Sequence, residues 1–208
     1  MISIDYFMSH GSPWTFLGHG RLGELIKKFN VNSKIFKADL SIESETLDLY
    51  DKVTEELGPI SILINNASTF RKNNLENTTS EEIQEDYFVN VISPFLLSQK
   101  IHKNKKINSG KIINISDWKT ARENRFSYGA SKSAIAGLTK SLAVSMAPNF
   151  QVNEIAFGAM LPPVDEPNRI PQKINLGPMQ RIAKMSEINE AIAHLRSGKA
   201  RYRIVLEN

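Results

Sequence analysis

Short apolar runs divide the chain at near-regular intervals. KIFKADL (34–40), ISILINNAS (60–68) and GKIINISD (110–117) each close on polar or small residues, as strands buried inside a parallel sheet do. Between them lie stretches with helical periodicity. SIESETLDLYDKVTEEL (41–57) carries Leu47, Tyr50 and Val53 on one face, with Ser41 as a candidate N-cap and Gly58-Pro59 as its stop. TSEEIQEDYFVNVISPFLLSQKIHK (79–103) opens with Thr79 and Glu82 at capping-box spacing and predicts one long helix. SYGASKSAIAGLTKSLAVSMA (127–147) is apolar on more than one side, the mark of a buried helix. The strand-like QVNEIAF (151–157), a proline-rich loop (158–167), a short helix at 186–195 and a last strand RYRIVLEN complete the chain. This alternation predicts crossover connections, a mostly parallel sheet and helices on both of its faces. With no internal repeat and no linker, residues 1–208 are read as a single domain, with an atypical segment at 1–30.

Composition narrows the function classes. At 208 residues the chain can bury a substantial core, and its 41% hydrophobic and 23% charged content is that of a soluble globular protein. The net charge of +4 is spread along the chain, so no nucleic-acid footprint is expected, although a mildly positive surface suits a phosphorylated cofactor. The absence of cysteine excludes disulfides, thiol nucleophiles and thiolate metal sites. His10, His19, His102 and His194 show no metal-ligand spacing, so no metal is expected. The N-terminus is not built as a signal peptide, and no apolar run reaches the ~18 residues of a membrane helix. The expectation is a cytoplasmic protein without a membrane partner.

Ligands of such sheets bind beyond the carboxyl ends of the strands. Asp39, Asn65-Asn66, Ser116-Asp117 and Phe157-Gly158 stand at those ends. Tyr128 and Lys132, four residues apart on a helix, share a face, and a neighbouring ammonium would lower the phenol's pKa toward that of a working general acid. Structural readings stand beside these. Asp39 also suits a helix cap, Asn65-Asn66 strand-end hydrogen bonding, Asn90 a mid-helix kink, and Phe70 core or lid packing. Ser116 competes with Asp117 for the site-facing position. FLGHGRLGEL (16–25) contains a literal G-x-G-x-x-G at Gly18, Gly20 and Gly23.

The ordered set NNAS (65–68), Asn90, ISD (115–117), YGASK (128–132) and VNEIAFGAMLPP resembles the short-chain dehydrogenase/reductase family over roughly residues 34–208. The 27 positions from Asp39 to Asn66 and the 24 from Asn66 to Asn90 agree with it. The resemblance implies a Rossmann-like three-layer α/β/α sandwich and an NAD(P)H-dependent oxidoreductase. Asp117 in place of the family's usual serine, the run NNASTF and the LPP loop are similar to its pteridine reductase and dihydrofolate/dihydromonapterin reductase branch. It then implies Tyr128 as proton donor, Lys132 as its pKa-lowering and ribose-holding partner, and Asn90 as anchor of a relay water. Asp117 would orient the substrate or assist proton transfer. Asp39 and Leu40 would line the adenine, Asn66, Ala67 and Ser68 the adenosine ribose and nearby cofactor backbone, and Gly158 the nicotinamide. Phe70 matches the aromatic that stacks on a pterin. NADPH is the expected cofactor, with NADH as the alternative, and a pterin or carbonyl compound the expected substrate. Homodimers or homotetramers through the two long helices are also implied.

The sequence departs from that pattern in places. Asp117 and Tyr128 are 11 positions apart, closer than the family shows, and Phe157 stands where it has proline. Gly18 lies only 21 positions before Asp39, leaving no room for the family's helix, second strand and second helix. Either GHGRLG is a compressed fingerprint with Asp39 as the ribose acid, or MISIDYF is the second strand and the opening βα unit is lost. The second account keeps Asp39 in register with Asn66 and is preferred, leaving the glycines outside the site. The expected function is reduction of a pterin or dihydrofolate-like substrate. The alternatives are a truncated, catalytically silent relative with impaired cofactor binding and a carbonyl reductase of other substrate.

Overall fold

Isoleucine-rich segments pair side by side to make the sheet; 110–117 and 150–157 bury apolar side chains on both faces, whereas 62–65 buries Leu63 and leaves Ile62 and Ile64 exposed. The computed structural model describes residues 23–24, 27–30, 33–158, 184–197 and 203–206. Its four strands are β1 (Ile62–Asn65), β2 (Gly110–Asp117), β3 (Phe150–Phe157) and β4 (Arg203–Leu206), all parallel and adjacent in that order. The register sets Leu63 beside Ile112, Ile112 beside Val152 and Asn114 beside Glu154. The helices are α1 (Glu43–Leu57), α2 (Ser80–Tyr87), α3 (Ser93–Lys103), α4 (Phe126–Ser145) and α5 (Met185–Arg196). This is the parallel α/β architecture expected from the alternation and the Rossmann-like form implied by the resemblance.

Strand parity sorts the core into two layers. Leu63, Ile112 and Val152 point to one face and meet Leu49 and Val53 of α1, Leu97 and Ile101 of α3 and Leu142 of α4. Ile113 and Ile155 point to the other, against Ala191 and Leu195 of α5. Each such fully buried aliphatic side chain contributes roughly 1.5–3 kcal/mol over leaving it in water.

Local details depart from expectation for physical reasons. KIFKADL is not a strand: residues 33–39 carry no ladder, since a strand needs a hydrogen-bonded neighbour and none stands beside them among the described residues. The expected alternation survives, with Phe36, Ala38 and Leu40 on the core and Ile35 56% exposed. Ser41 does not cap α1. Ile42 precedes the helix, and Ser41 turns back to donate its N–H and hydroxyl to Asp39 Oδ1 at 2.9 and 2.7 Å. Gly58, at φ 90°, ends α1 in a conformation open mainly to glycine. Thr79 and Glu82 do form the capping box at the head of α2.

The predicted single helix over 79–103 is interrupted by a π-helical turn, Phe88–Ile92. Pro94 explains it. Lacking an N–H, it cannot bond the carbonyl of Asn90 one turn back, so the backbone widens and Ser93 N–H reaches Phe88 O instead. The segments 1–22 and 159–183 lie outside the described residues, and with them Gly18, Gly20 and the LPP loop. The expected loss of the opening βα unit therefore also falls outside the described residues.

Candidate active site

Parallel pairing brings the carboxyl ends of β1, β2 and β3 together, and the first turns of α4 lie over them. Asp117 is the last residue of β2, Tyr128 and Lys132 lie one turn apart near the start of α4, and Gly158 follows β3. The ambiguity between Ser116 and Asp117 resolves here: Tyr128 Oη donates to Asp117 Oδ2 at 3.1 Å. The same carboxylate oxygen receives Arg122 Nη2 at 2.7 Å, and its other oxygen accepts the Lys119 N–H at 2.9 Å.

Lys132 Nζ donates to the Ile115 carbonyl at 2.9 Å and lies 5.9 Å from the Tyr128 ring centroid. Tyr128 and Lys132 are both buried. Their electrostatics differ from the sequence expectation. Burial raises the Tyr128 phenol well above its ordinary range, Asp117 raises it further, and Arg122 and Arg125 pull it back. Burial lowers Lys132 to about 8 against the pull of Asp117 and Glu154. In the protein alone, the carboxylate and the dry surroundings dominate the phenol; the lysine does not.

Asn90 lies inside the π-helical turn, where the widened backbone turns its side chain inward. Its Nδ2 donates to Ser131 Oγ at 2.8 Å and to Thr69 Oγ1 at 3.1 Å, while its Oδ1 accepts the Thr69 N–H at 3.1 Å. Ser131 passes its own proton to the Tyr128 carbonyl at 2.8 Å. Asn90 thus ties the segment after β1 to the helix that carries the tyrosine.

Phe70 sits against Tyr128 edge to face, with centroids 4.8 Å apart. Arg125 stacks 3.8 Å over the Phe70 ring and donates Nη1 to its carbonyl at 2.8 Å. The following loop is fastened by Arg71, which pairs with Glu85 and reaches buried Asp86 at 3.6 Å, and by Asn73, which donates to Ser127 Oγ at 2.8 Å. Asn66 is exposed at the end of β1, with Ala67 and Ser68 half-buried beside it. Its neighbour Asn65 is structural, donating to Asn114 Oδ1 at 2.7 Å. Asp39 accepts both Ser41 donors, which hold its carboxyl below the usual range, and the Leu40 carbonyl accepts from Ser93 Oγ at 2.6 Å. Those bonds make Asp39 and Leu40 part of the entry to α1.

The sequence reading missed Arg122, Arg125, Ser131 and Gly129. A Cβ added at Gly129 would fall on the Thr120 carbonyl oxygen, so glycine lets the 118–125 connection lie flat on α4. The shortened spacing between Asp117 and Tyr128 was the available signal, since it forces the two arginines back over the site. No group of three or more metal-ligating side chains occurs among the described residues. None of the described helices is long and apolar enough to cross a membrane.

The short chain dehydrogenase family matches residues 18–173, and this chain belongs to that family. An uncharacterized oxidoreductase of Thermotoga maritima is 32% identical over 182 residues, covering 81% of this chain and 72% of that one. The 3-oxoacyl-[acyl-carrier-protein] reductase FabG of Buchnera aphidicola is 32% identical over 189 residues, covering 86% and 76%. Among solved structures, FolM alternative dihydrofolate reductase 1 from Brucella canis, complexed with NADP, is similar at a TM-score of 0.75. It shares 25% identity and covers 90% of this chain and 77% of its own. The protein is a short-chain oxidoreductase.

Proposed function

We propose that the protein is an NADPH-dependent reductase of a pterin or dihydrofolate-like substrate. The observation that carries this reading is the Asp117–Tyr128 hydrogen bond at 3.1 Å, with Phe70 packed edge-on against the same phenol. A carboxylate at the proton donor suits a substrate that offers ring N–H groups as well as an acceptor, which a simple ketone does not. The likeness to a dihydrofolate reductase complexed with NADP supports the same choice.

The donor set fits the nicotinamide-ribose end of such a cofactor. The Lys132 ammonium spends one N–H on Ile115 and has two more suited to ribose hydroxyls, while Asn66 is exposed at the adjacent strand end. Gly158, without a side chain, would let the cofactor ring approach. NADPH, when bound, would supply the hydride. Tyr128 would then deliver its Oη proton to the substrate, with Asp117 releasing the phenol and holding a substrate N–H. Lys132 would stabilise the phenolate left behind, and Asn90 would hold the helix and the Thr69 segment in register. A single domain, assembled as a homodimer or homotetramer through α3 and α4, belongs to the same proposal. Exposed Phe95 and Val144 on those helices support it.

The second reading, a silent relative, has its own support, because Tyr128 in the protein alone is raised away from the working range of a general acid. Following NADPH oxidation with dihydrobiopterin, dihydrofolate and a ketone panel separates the two. Turnover with pterins and not ketones is expected. Absence of both NADPH binding and turnover leaves the silent reading, and turnover of ketones alone removes the pterin assignment.

A further inference from the structure

The helix that carries the tyrosine is capped from a distant part of the chain. α4 starts at Phe126, and the residue before it, Arg125, makes no side-chain bond to the first turn. The first N–H groups of a helix have no partner inside it. Asn73, in the connection between β1 and α2 and 54 positions before Ser127, answers them. Its carbonyl accepts the Phe126 N–H at 3.2 Å, and its Oδ1 accepts the Ser127 N–H at 3.3 Å. Its Nδ2 donates to Ser127 Oγ at 2.8 Å and to Glu82 Oε2 at 3.0 Å, so every polar group of the side chain is engaged. Ser127 in turn donates its hydroxyl proton to Asp86 of α2. Asn73, Ser127 and Asp86 are all buried, which shields these bonds from water and makes the arrangement costly to leave.

We propose that Asn73 is a positioning residue for Tyr128: it fixes the start of α4 on the segment that carries Phe70, and so sets the phenol against Asp117 and Phe70 together. The inference rests on the assignment of Tyr128 as proton donor. Tyr128 immediately follows Ser127, and Phe70 stands three residues before Asn73, so the two segments meet at both ends. At the far end Arg125 donates to the Phe70 carbonyl at 2.8 Å and stacks on its ring, and the same ring meets Tyr128 edge to face. The phenol reaches Asp117 at 3.1 Å, the long end for an O–H···O bond, so a small lift of the first turn breaks it. A cap drawn from the residues just before α4 would stabilise the helix and leave it free to slide past Phe70. A cap drawn from residue 73 ties the two together.

The test reads the place of Tyr128 directly, so a protein without turnover still decides it. Tyrosine and phenylalanine rings labelled with 13C are observed by NMR in the full chain. Tyr128→Phe identifies the Tyr128 signals by their absence, and Phe70→Leu those of Phe70. The parent is expected to show a nuclear Overhauser effect between the two rings, and its absence there overturns the proposal. Asn73→Ala keeps the backbone carbonyl and removes the side-chain bonds to Ser127; it is expected to lose the effect. Asn77→Ala removes a bond to the Asn74 N–H within the same connection and is expected to keep it. A folded Asn73→Ala protein that retains the effect overturns the proposal. So does its loss in both variants, since that would make it a matter of general loop stability. Should Asn73→Ala not fold, amide hydrogen exchange in the unsubstituted protein decides instead. Phe126 and Ser127 N–H groups exchanging about tenfold or more slower than in an unstructured chain support the proposal, and exchange at the unstructured rate overturns it. Absence of pterin turnover alongside the expected loss would count against the proposed substrate and leave this inference standing.

Discussion

Asp117 Oδ2 is shared between the Tyr128 phenol at 3.1 Å and the Arg122 guanidinium at 2.7 Å. The oxygen therefore answers two donors of opposite consequence. The phenol gains a negative neighbour that resists its ionisation, and the guanidinium cancels part of that charge.

Tyr128 is accordingly expected to stay protonated where ordinary tyrosines ionise. Up to about pH 11 the phenolate absorbance of the free protein should match that of Tyr128→Phe, because burial and Asp117 hold this phenol above that range. For folding the sign is fixed. A phenol raised in the native state contributes stability that is fully present below about pH 10 and lost as pH climbs beyond it. A Tyr128→Phe protein that loses one phenolate equivalent below that pH would show the tyrosine to be solvated.

Arg122→Gln removes the partner of a buried carboxylate. Arg122 is about one-third exposed, so solvent screens part of the loss, and a cost of about 1–2 kcal/mol is expected from urea unfolding at neutral pH. Asp117→Asn should make Arg122→Gln nearly neutral, since the charge that needs answering is gone. Additive losses in the double variant would mean the two side chains act independently.

Lys132 imposes the opposite pH trend from tyrosine. Its native pKa of about 8 lies below the ordinary lysine value of 10.5, so the unfolded chain binds the proton more tightly between those values. Below pH 8 the fold carries the full cost of a buried ammonium, and that cost is relieved as pH rises. The unfolding free energy of the wild-type protein relative to Lys132→Met should thus increase between about pH 7 and pH 10, by on the order of 3 kcal/mol. A difference that is flat with pH would show that the lysine is hydrated.

Two glycines of α4 should respond with opposite signs. At Gly129 a methyl would meet the Thr120 carbonyl, so Gly129→Ala must push the 118–125 connection off the helix. A loss of about 1–3 kcal/mol is expected, as for other overpacked sites. Gly137 has nothing within 4 Å of an added Cβ, and Gly137→Ala should stabilise by about 0.5–1 kcal/mol through helix propensity alone. Thermal unfolding of the two variants beside the parent distinguishes the cases.

These contacts also show what the sequence could reveal. β1, β2 and β3 were legible because isoleucine-rich runs have few other places to go, and Thr79 with Glu82 announced α2 because a capping box is a local device. Tyr128 and Lys132 were legible as a pair because helix geometry alone puts them on one face. The failures had several causes, some of them non-local. KIFKADL has the composition of a strand, but pairing depends on a neighbour that no local pattern specifies. The π-helical turn depends on Pro94 acting one turn back, on Asn90. The raised phenol depends on a carboxylate 11 residues away and on burial, which outweighs the lysine beside it.

Phe70 offers the most direct probe of substrate class. Phe70 is 40% exposed, with Arg125 3.8 Å over its ring and Tyr128 packed against it nearly at right angles. A planar heteroaromatic substrate would stack on that ring, a contact worth about 1 kcal/mol beyond area burial. Phe70→Leu keeps the apolar volume and removes the π face. The expected result is a KM for dihydrobiopterin raised about fivefold or more at a nearly constant kcat, with little change for a small ketone. Equal losses for both substrates, falling mainly on kcat, would mean that Phe70 serves only to hold Tyr128 in place.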